Sequence, residues 1–341
     1  MERSESKKRI NKVLQIGLPL LLGAAILVWT YYGFDFQRVA SVFGDMHWGW
    51  MFFSLIFGVF SHLFRGWRWS LALEPLGEHP KLGNCVYAVF VSYAANLVVP
   101  RVGEVSRCGI LSKYDGVSFA KSLGTVVSER LIDTVCILLI TGVTILLQSG
   151  VFATFFAQTG TNVAFFSHLF KSTNFFITLA CILVVGMFLV FLIRKLAIFS
   201  KMKGLFENIW KGCLSLRGVE NLPLYLFYTV GIWACYYYQF YIAFYSFDFS
   251  ADLGWLAGLA MFVVGSIAVV VPTPNGAGPW HFVIITMMMM YGVSKDDAGI
   301  FALLVHAIQT FLLILLGIYG LVALQLTNKS FKTKTHIKTH N

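Results

Sequence analysis

Nine apolar runs, most of them near 20 residues long, divide this chain and leave it little choice of environment. They lie at 13–33, 48–73, 84–100, 119–148, 173–193, 222–246, 253–271, 280–292 and 297–324. A helix of about 20 apolar residues spans the ~30 Å hydrocarbon core of a bilayer. Composition agrees. The chain is 57% hydrophobic and only 12% charged, against about 25% charged in a soluble domain. No polar stretch separates the runs by the roughly 50 residues a soluble domain needs. This excludes a disordered chain and a nucleic-acid-binding domain. The sequence predicts an all-α polytopic membrane protein, a single integral membrane domain over 1–341.

The runs are unequal, and the short ones are informative. Run 280–292 reaches only about 20 Å and run 84–100 about 25 Å at 1.5 Å per residue. Each adjoins a break: Pro100-Arg101-Val102-Gly103-Glu104, and Pro272-Thr273-Pro274-Asn275-Gly276-Ala277-Gly278-Pro279. Irregular backbone at membrane depth survives only inside protein or beside a wet cavity. Segments 84–117 and 253–293 are therefore expected to be re-entrant helical hairpins, and the other runs to give about six full spans.

Lysine and arginine sort onto one side when the N-terminus is placed inside. The inner loops then hold the basic N-terminus, Arg65, Arg68, Lys81, the basic residues of 194–217 and those of 329–338. The outer loops hold Arg38, Lys171 and Lys295. Such a bias orients a membrane protein. It puts both termini on the cytoplasmic side of the inner membrane and makes 325–341 a basic cytoplasmic tail. The net charge of +10 then reports loops facing anionic lipid. The basic N-terminus and run 13–33 read as an uncleaved first span, because the run is too long for a signal peptide. Segment 149–171 reads as an interfacial outer segment, and 194–221 as an amphipathic helix on the inner surface. The order span, span, hairpin, span occurs twice in opposite orientation, over 13–148 and 173–324. Inverted repeats with paired broken helices suggest a transporter with its site near the midplane.

Charges inside the apolar blocks are the functional candidates, because each costs about 2.5–3.5 kcal/mol at a helix centre. The first hairpin carries Asn96, Arg101, Glu104 and Arg107. Pro100 breaks the helix and Gly103 is expected to let the chain turn. The two arginines suit an anion, since the guanidinium fork matches phosphate, with Glu104 orienting one of them. The following helix carries Glu129, Arg130 and Asp133; Glu129 and Asp133 share a face at i, i+4. One carboxylate is expected to pair with Arg101 or Arg107. In the second hairpin, Asn275, Gly276 and Gly278 are expected to expose N–H groups as an anion nest ahead of a helix N-terminus. His281 is a group able to titrate near neutral pH. The bland alternative for all of these is a structural ion-pair and hydrogen-bond network.

Walker A, HExxH, GxSxG and CxxC patterns are absent from the sequence, and its six cysteines are scattered. No cofactor or metal is expected, and movement is favoured over bond-breaking. Three functions stay open. One is a flippase or transporter of an anionic or polar lipid, either a phospholipid or a lipid-linked sugar. The second is a membrane enzyme acting on lipid-phosphate headgroups, with Glu104, Glu129 or Asp133 as acid or base. The third is a non-transporting scaffold docking through 194–221.

These residues resemble the lysylphosphatidylglycerol synthase transmembrane region, or flippase-like membrane family. The resemblance rests on Asn96/Pro100/Arg101/Gly103/Glu104/Arg107, on Glu129-Arg130-x2-Asp133 and on Pro272-x-Pro274-x-Gly276-x-Gly278. It implies movement of aminoacylated phospholipids, lipid-linked sugars or other polar lipids, with membrane lipids as partners. The chain departs from the family's pattern at Asn275, usually glycine, and at His281, usually glutamate. No aminoacyltransferase domain lies within these residues, so the resemblance does not imply lysylphosphatidylglycerol synthesis.

Overall fold

The computed structural model describes residues 17, 20–158 and 218–328. Among them helix takes 84% and strand none, so the all-α expectation holds. In chain order the principal helices are α1 (Leu20–Thr30), α2 (Gln37–Asp45), α3 (Trp48–Leu73), α4 (Leu82–Val98), α5 (Val102–Asp115), α6 (Phe119–Leu147), α7 (Ser149–Gln158), α8 (Leu222–Ile242), α9 (Trp255–Ala268), α10 (Pro279–Met290) and α11 (Lys295–Thr327). The expected span 173–193 and the surface segment up to residue 217 lie outside the described residues, as do residues 329–341 of the tail.

Local chemistry sets the helix ends. The Ser118 hydroxyl accepts from the Lys121 N–H and starts α6, Asn221 does the same for α8 through Leu224, and Ser294 for α11 through Asp297. Each satisfies an N–H that has no partner within its own helix. Asp296 and Asp297 in the first turn of α11 also oppose the positive end of its dipole.

Two helices, α6 and α11, are long and apolar enough by themselves to cross a membrane. A third span results if α2 and Trp48–Leu76, bent by 86° from one another, count as one. The described residues thus hold two or three membrane-capable helices beside the six full spans expected from the runs, one of which, 173–193, lies outside them. The reason is partly polar content. Helix α3 carries Arg65 and Arg68, and α8 carries six tyrosines. The two short runs behave as expected in one respect: each is half of a helical hairpin. Helices α4 and α5 pack against each other across Val99–Arg101, and α9 and α10 pack across 269–278.

Helix α3 lies along α8, and α11 lies along α4. The second pair approaches closely through small residues; a methyl added at Gly317 would sit 2.3 Å from the Ala94 Cβ. In lipid, where burial of apolar surface gives helices little reason to associate, such close packing supplies the attraction. Two larger apolar cores result, with a small third around Ala72, Val219 and Tyr225. Trp69, Leu73, Cys85, Val89, Cys108, Leu111 and Val126 pack around the first hairpin. Phe240, Phe244, Met261, Ile284, Met287, Met288 and Phe301 pack around the second. The hairpins meet where the 274–276 turn packs against α4, and α9 also reaches α6.

Candidate functional site

Glu129 and Asp133 sit one turn apart on the buried face of α6, as their i, i+4 spacing requires. Three helices bring arginines to them. From α3, Arg65 Nη1 donates to Asp133 Oδ2 at 2.8 Å and Arg68 Nη2 to Asp133 Oδ1 at 2.9 Å; Arg68 Nε also lies 3.5 Å from Glu129 Oε1. From α5, Arg107 Nη2 donates to Glu129 Oε2 at 2.6 Å. On α6 itself Arg130 reaches Asp133 and the α5 residue Glu104, each at 3.5 Å. Four arginines therefore face three carboxylates, which leaves a formal excess of one positive charge.

Aromatic rings cover the guanidinium faces. Arg107 lies 4.5 Å over Trp69, Arg68 lies 5.7 Å from Tyr225, and Arg65 lies 5.9 Å from both Tyr93 and Tyr236. Arginine suits such places because its charge is spread over a plane that can stack while its edge donates. The hydroxyls of Tyr93 and Tyr236 bond each other at 2.9 Å and join α4 to α8. Arg107 Nε and Nη1 are buried with no hydrogen-bond partner among the described residues, and so are the carboxylate oxygens Glu104 Oε2 and Glu129 Oε1.

Arg65 and Arg68 correct the reading of the sequence. They do not flank a loop and orient the chain; they are 2% and 0% exposed, within the last third of α3. Positive charges near the end of an apolar run look like headgroup anchors, and their carboxylate partners lie on a helix far along the chain. One signal could have found them: Arg65 stands 17 residues after Trp48, inside an unbroken apolar run.

The first hairpin also differs in detail. The turn is made by Arg101, whose φ is +65°, and not by Gly103. Gly103 is helical, and its role is close approach: a Cβ there would sit 2.1 Å from the Ser92 carbonyl oxygen. Asn96 Oδ1 accepts the Gly103 N–H at 2.7 Å, tying the end of α4 to the start of α5. Arg101 is exposed and makes no ion pair among the described residues. Glu104 faces Arg130 and orients neither Arg101 nor Arg107. Of the expected pairings, Arg107 with Glu129 is present.

In the second hairpin the expected nest is closed on itself. The Gly276 N–H donates to the Thr273 carbonyl at 3.2 Å, and the Gly278 N–H donates to His281 Nδ1 at 3.4 Å. Asn275, in a left-handed conformation at φ +51°, donates to Thr310 Oγ1 at 2.8 Å. Its carbonyl accepts from His306 Nε2 at 3.0 Å. Gly278 has a φ of +94°, and a side chain there would meet the Gly23 carbonyl of α1 at 2.8 Å. His306 thus joins this cluster. Among the described residues no group of three His, Cys, Asp or Glu side chains is placed to hold a metal ion.

A protein named "Glycosyltransferase AglD" from Haloferax volcanii is 28% identical over 138 residues, which cover 40% of this chain and 22% of that relative. The chain thus spans about a fifth of the length of the curated relative it matches. No solved structure matches the chain. The family model described as the lysylphosphatidylglycerol synthase TM region matches residues 16–317. The helices and the family together make this an integral membrane protein, and the chain belongs to the family of the lysylphosphatidylglycerol synthase transmembrane region.

Proposed function

We propose that this protein moves a lipid with an anionic or polar headgroup across the cytoplasmic membrane. The observation that carries the reading is the arginine excess around Glu129 and Asp133, with Arg101 exposed at the adjoining break. A headgroup phosphate is the anion that such donors match, while acyl chains remain in the bilayer. In this reading the headgroup meets Arg101 and Arg130 first, because Arg101 is exposed and Arg130 is partly exposed with ion pairs no shorter than 3.5 Å, whereas Arg65, Arg68 and Arg107 are buried in shorter pairs. The two hairpins are re-entrant, the halves form an inverted repeat, both termini are cytoplasmic, and one half rocks against the other to switch access. The printed name of the Haloferax volcanii relative supports a sugar-bearing lipid phosphate as one class of cargo, beside anionic phospholipid. No chemical step is assigned to the protein.

The test is reconstitution in liposomes with two labelled lipids, an anionic phospholipid and a lipid-linked sugar phosphate. The expected result is translocation of at least one, slowed about tenfold or more in Arg101→Ala and partly restored in Arg101→Lys. If Arg101→Ala folds and moves lipid at the parent rate, the site is wrong. Chemical turnover of the lipid, lost in Glu104→Gln, would instead favour an enzyme acting on lipid-phosphate headgroups.

A further inference from the structure

Two imidazoles meet where the second hairpin packs on α11, their planes tilted by 57°. The His281 and His306 rings lie 4.6 Å apart between centroids, His281 on α10 and His306 on α11. Each ring carries a different bond to the hairpin break. His306 Nε2 lies 3.0 Å from the Asn275 carbonyl, to which it donates in the tautomer that carries its hydrogen there, and 3.4 Å from the Asn275 side-chain amide. His281 Nδ1 accepts from the Gly278 N–H at 3.4 Å, so that nitrogen is bare and the ring is neutral. The accepting bond closes the start of α10 at Gly278, the residue pressed against the Gly23 carbonyl of α1.

A proton on His281 Nδ1 would remove this acceptor and leave the Gly278 N–H without its partner. It would also place a cation where nothing balances it. His281 is 3% exposed. Of the elements packed on α10, α7 and α9 contain no titratable residue. After α1, Tyr31 faces the ring at 5.8 Å with its hydroxyl donating to the Gly299 carbonyl. From α11 the facing group is His306, a second base. The other charges of α11, Lys295, Asp296 and Asp297, lie in its first turn. A buried cation without a partner is costly, so the protonated ring is stable only when the hairpin tip opens to water.

We infer that His281 is a proton-binding site whose protonation unlatches the second hairpin, with His306 holding the Asn275 backbone as the fixed side of the latch. The ligand class is the proton itself. A link to lipid movement rests on the translocation reading above; the latch does not. If both hold, each opening of this hairpin takes up a proton and each closing releases it, which would let a proton gradient bias lipid movement.

The test is hydrogen–deuterium exchange of the full chain in lipid nanodiscs between pH 7 and pH 5, each rate divided by the intrinsic rate at that pH. An exposed imidazole titrates near pH 6.5, so linkage predicts that opening of segment 272–281 rises about tenfold per pH unit below that value. His281→Asn keeps an acceptor near the Nδ1 position but binds no proton, and its exchange is expected to be flat with pH. His306→Gln keeps a donor for the Asn275 carbonyl and should retain the slope. His281→Gln is the second variant should His281→Asn not fold. A flat parent, or a slope that survives the loss of His281, overturns the latch. Labelled-lipid translocation under an imposed pH gradient is measured in parallel. Failure of the parent to move lipid counts against translocation alone, while the exchange result still decides the latch.

Discussion

Arg65 and Asp133 stand 68 residues apart in the chain and meet at 2.8 Å in the protein interior. Neither is useful there alone. A buried charge that has lost its partner costs far more than a pair contributes in excess of hydrophobic replacement. Asp133 also receives Arg68, so it serves two arginines of α3 at once.

Asp133→Ala should therefore destabilise the protein strongly, by about 3–5 kcal/mol, the range for breaking a buried pair. Thermal unfolding in detergent measures it. A midpoint indistinguishable from the parent would mean that water already solvates both arginines.

Two glycines of α5 predict opposite outcomes. Gly103→Ala must displace backbone, since its Cβ would sit 2.1 Å from the Ser92 carbonyl oxygen; overpacking costs about 1–3 kcal/mol or more. Gly109 has nothing within 4 Å of a Cβ, and Gly109→Ala should gain about 0.5–1 kcal/mol from helix propensity. The difference between the two unfolding midpoints tests how closely α4 and α5 approach.

Asn96→Ala removes the acceptor for the Gly103 N–H. The cost should be about 0.5–2 kcal/mol, as for a lost helix cap. Asn96→Asp keeps an acceptor and should recover most of it in the same unfolding assay.

At the far ends of α4, α5 and α11, Asn84 donates to Asp115 at 2.9 Å and accepts from Asn328 at 3.0 Å. Asn84→Ala leaves polar groups on two other elements without that partner, and a cost of about 1–3 kcal/mol follows. By contrast Arg38→Ala, which breaks the exposed pair with Asp297, should cost less than about 1 kcal/mol. Equal losses in the two variants would show that burial does not govern these bonds.

The sequence by itself determined the environment, the helices and the places where they break. These are local or compositional properties. An apolar run of 48–73 became α3 and a run of 119–148 became α6 because hydropathy and helix propensity act residue by residue. Pro100 and the proline–glycine cluster at 272–279 marked the two breaks for the same reason, and the spacing of Glu129 and Asp133 put both on one face. Tertiary structure decided what those faces meet. Arg65 and Arg68 became interior partners because α3 lies beside α6. Glu104 turned to Arg130, and Asn275 closed onto Thr310 and His306. A charge buried in an apolar medium takes the nearest opposite charge or hydrogen-bonding group in space, and that distance depends on how helices pack across the fold.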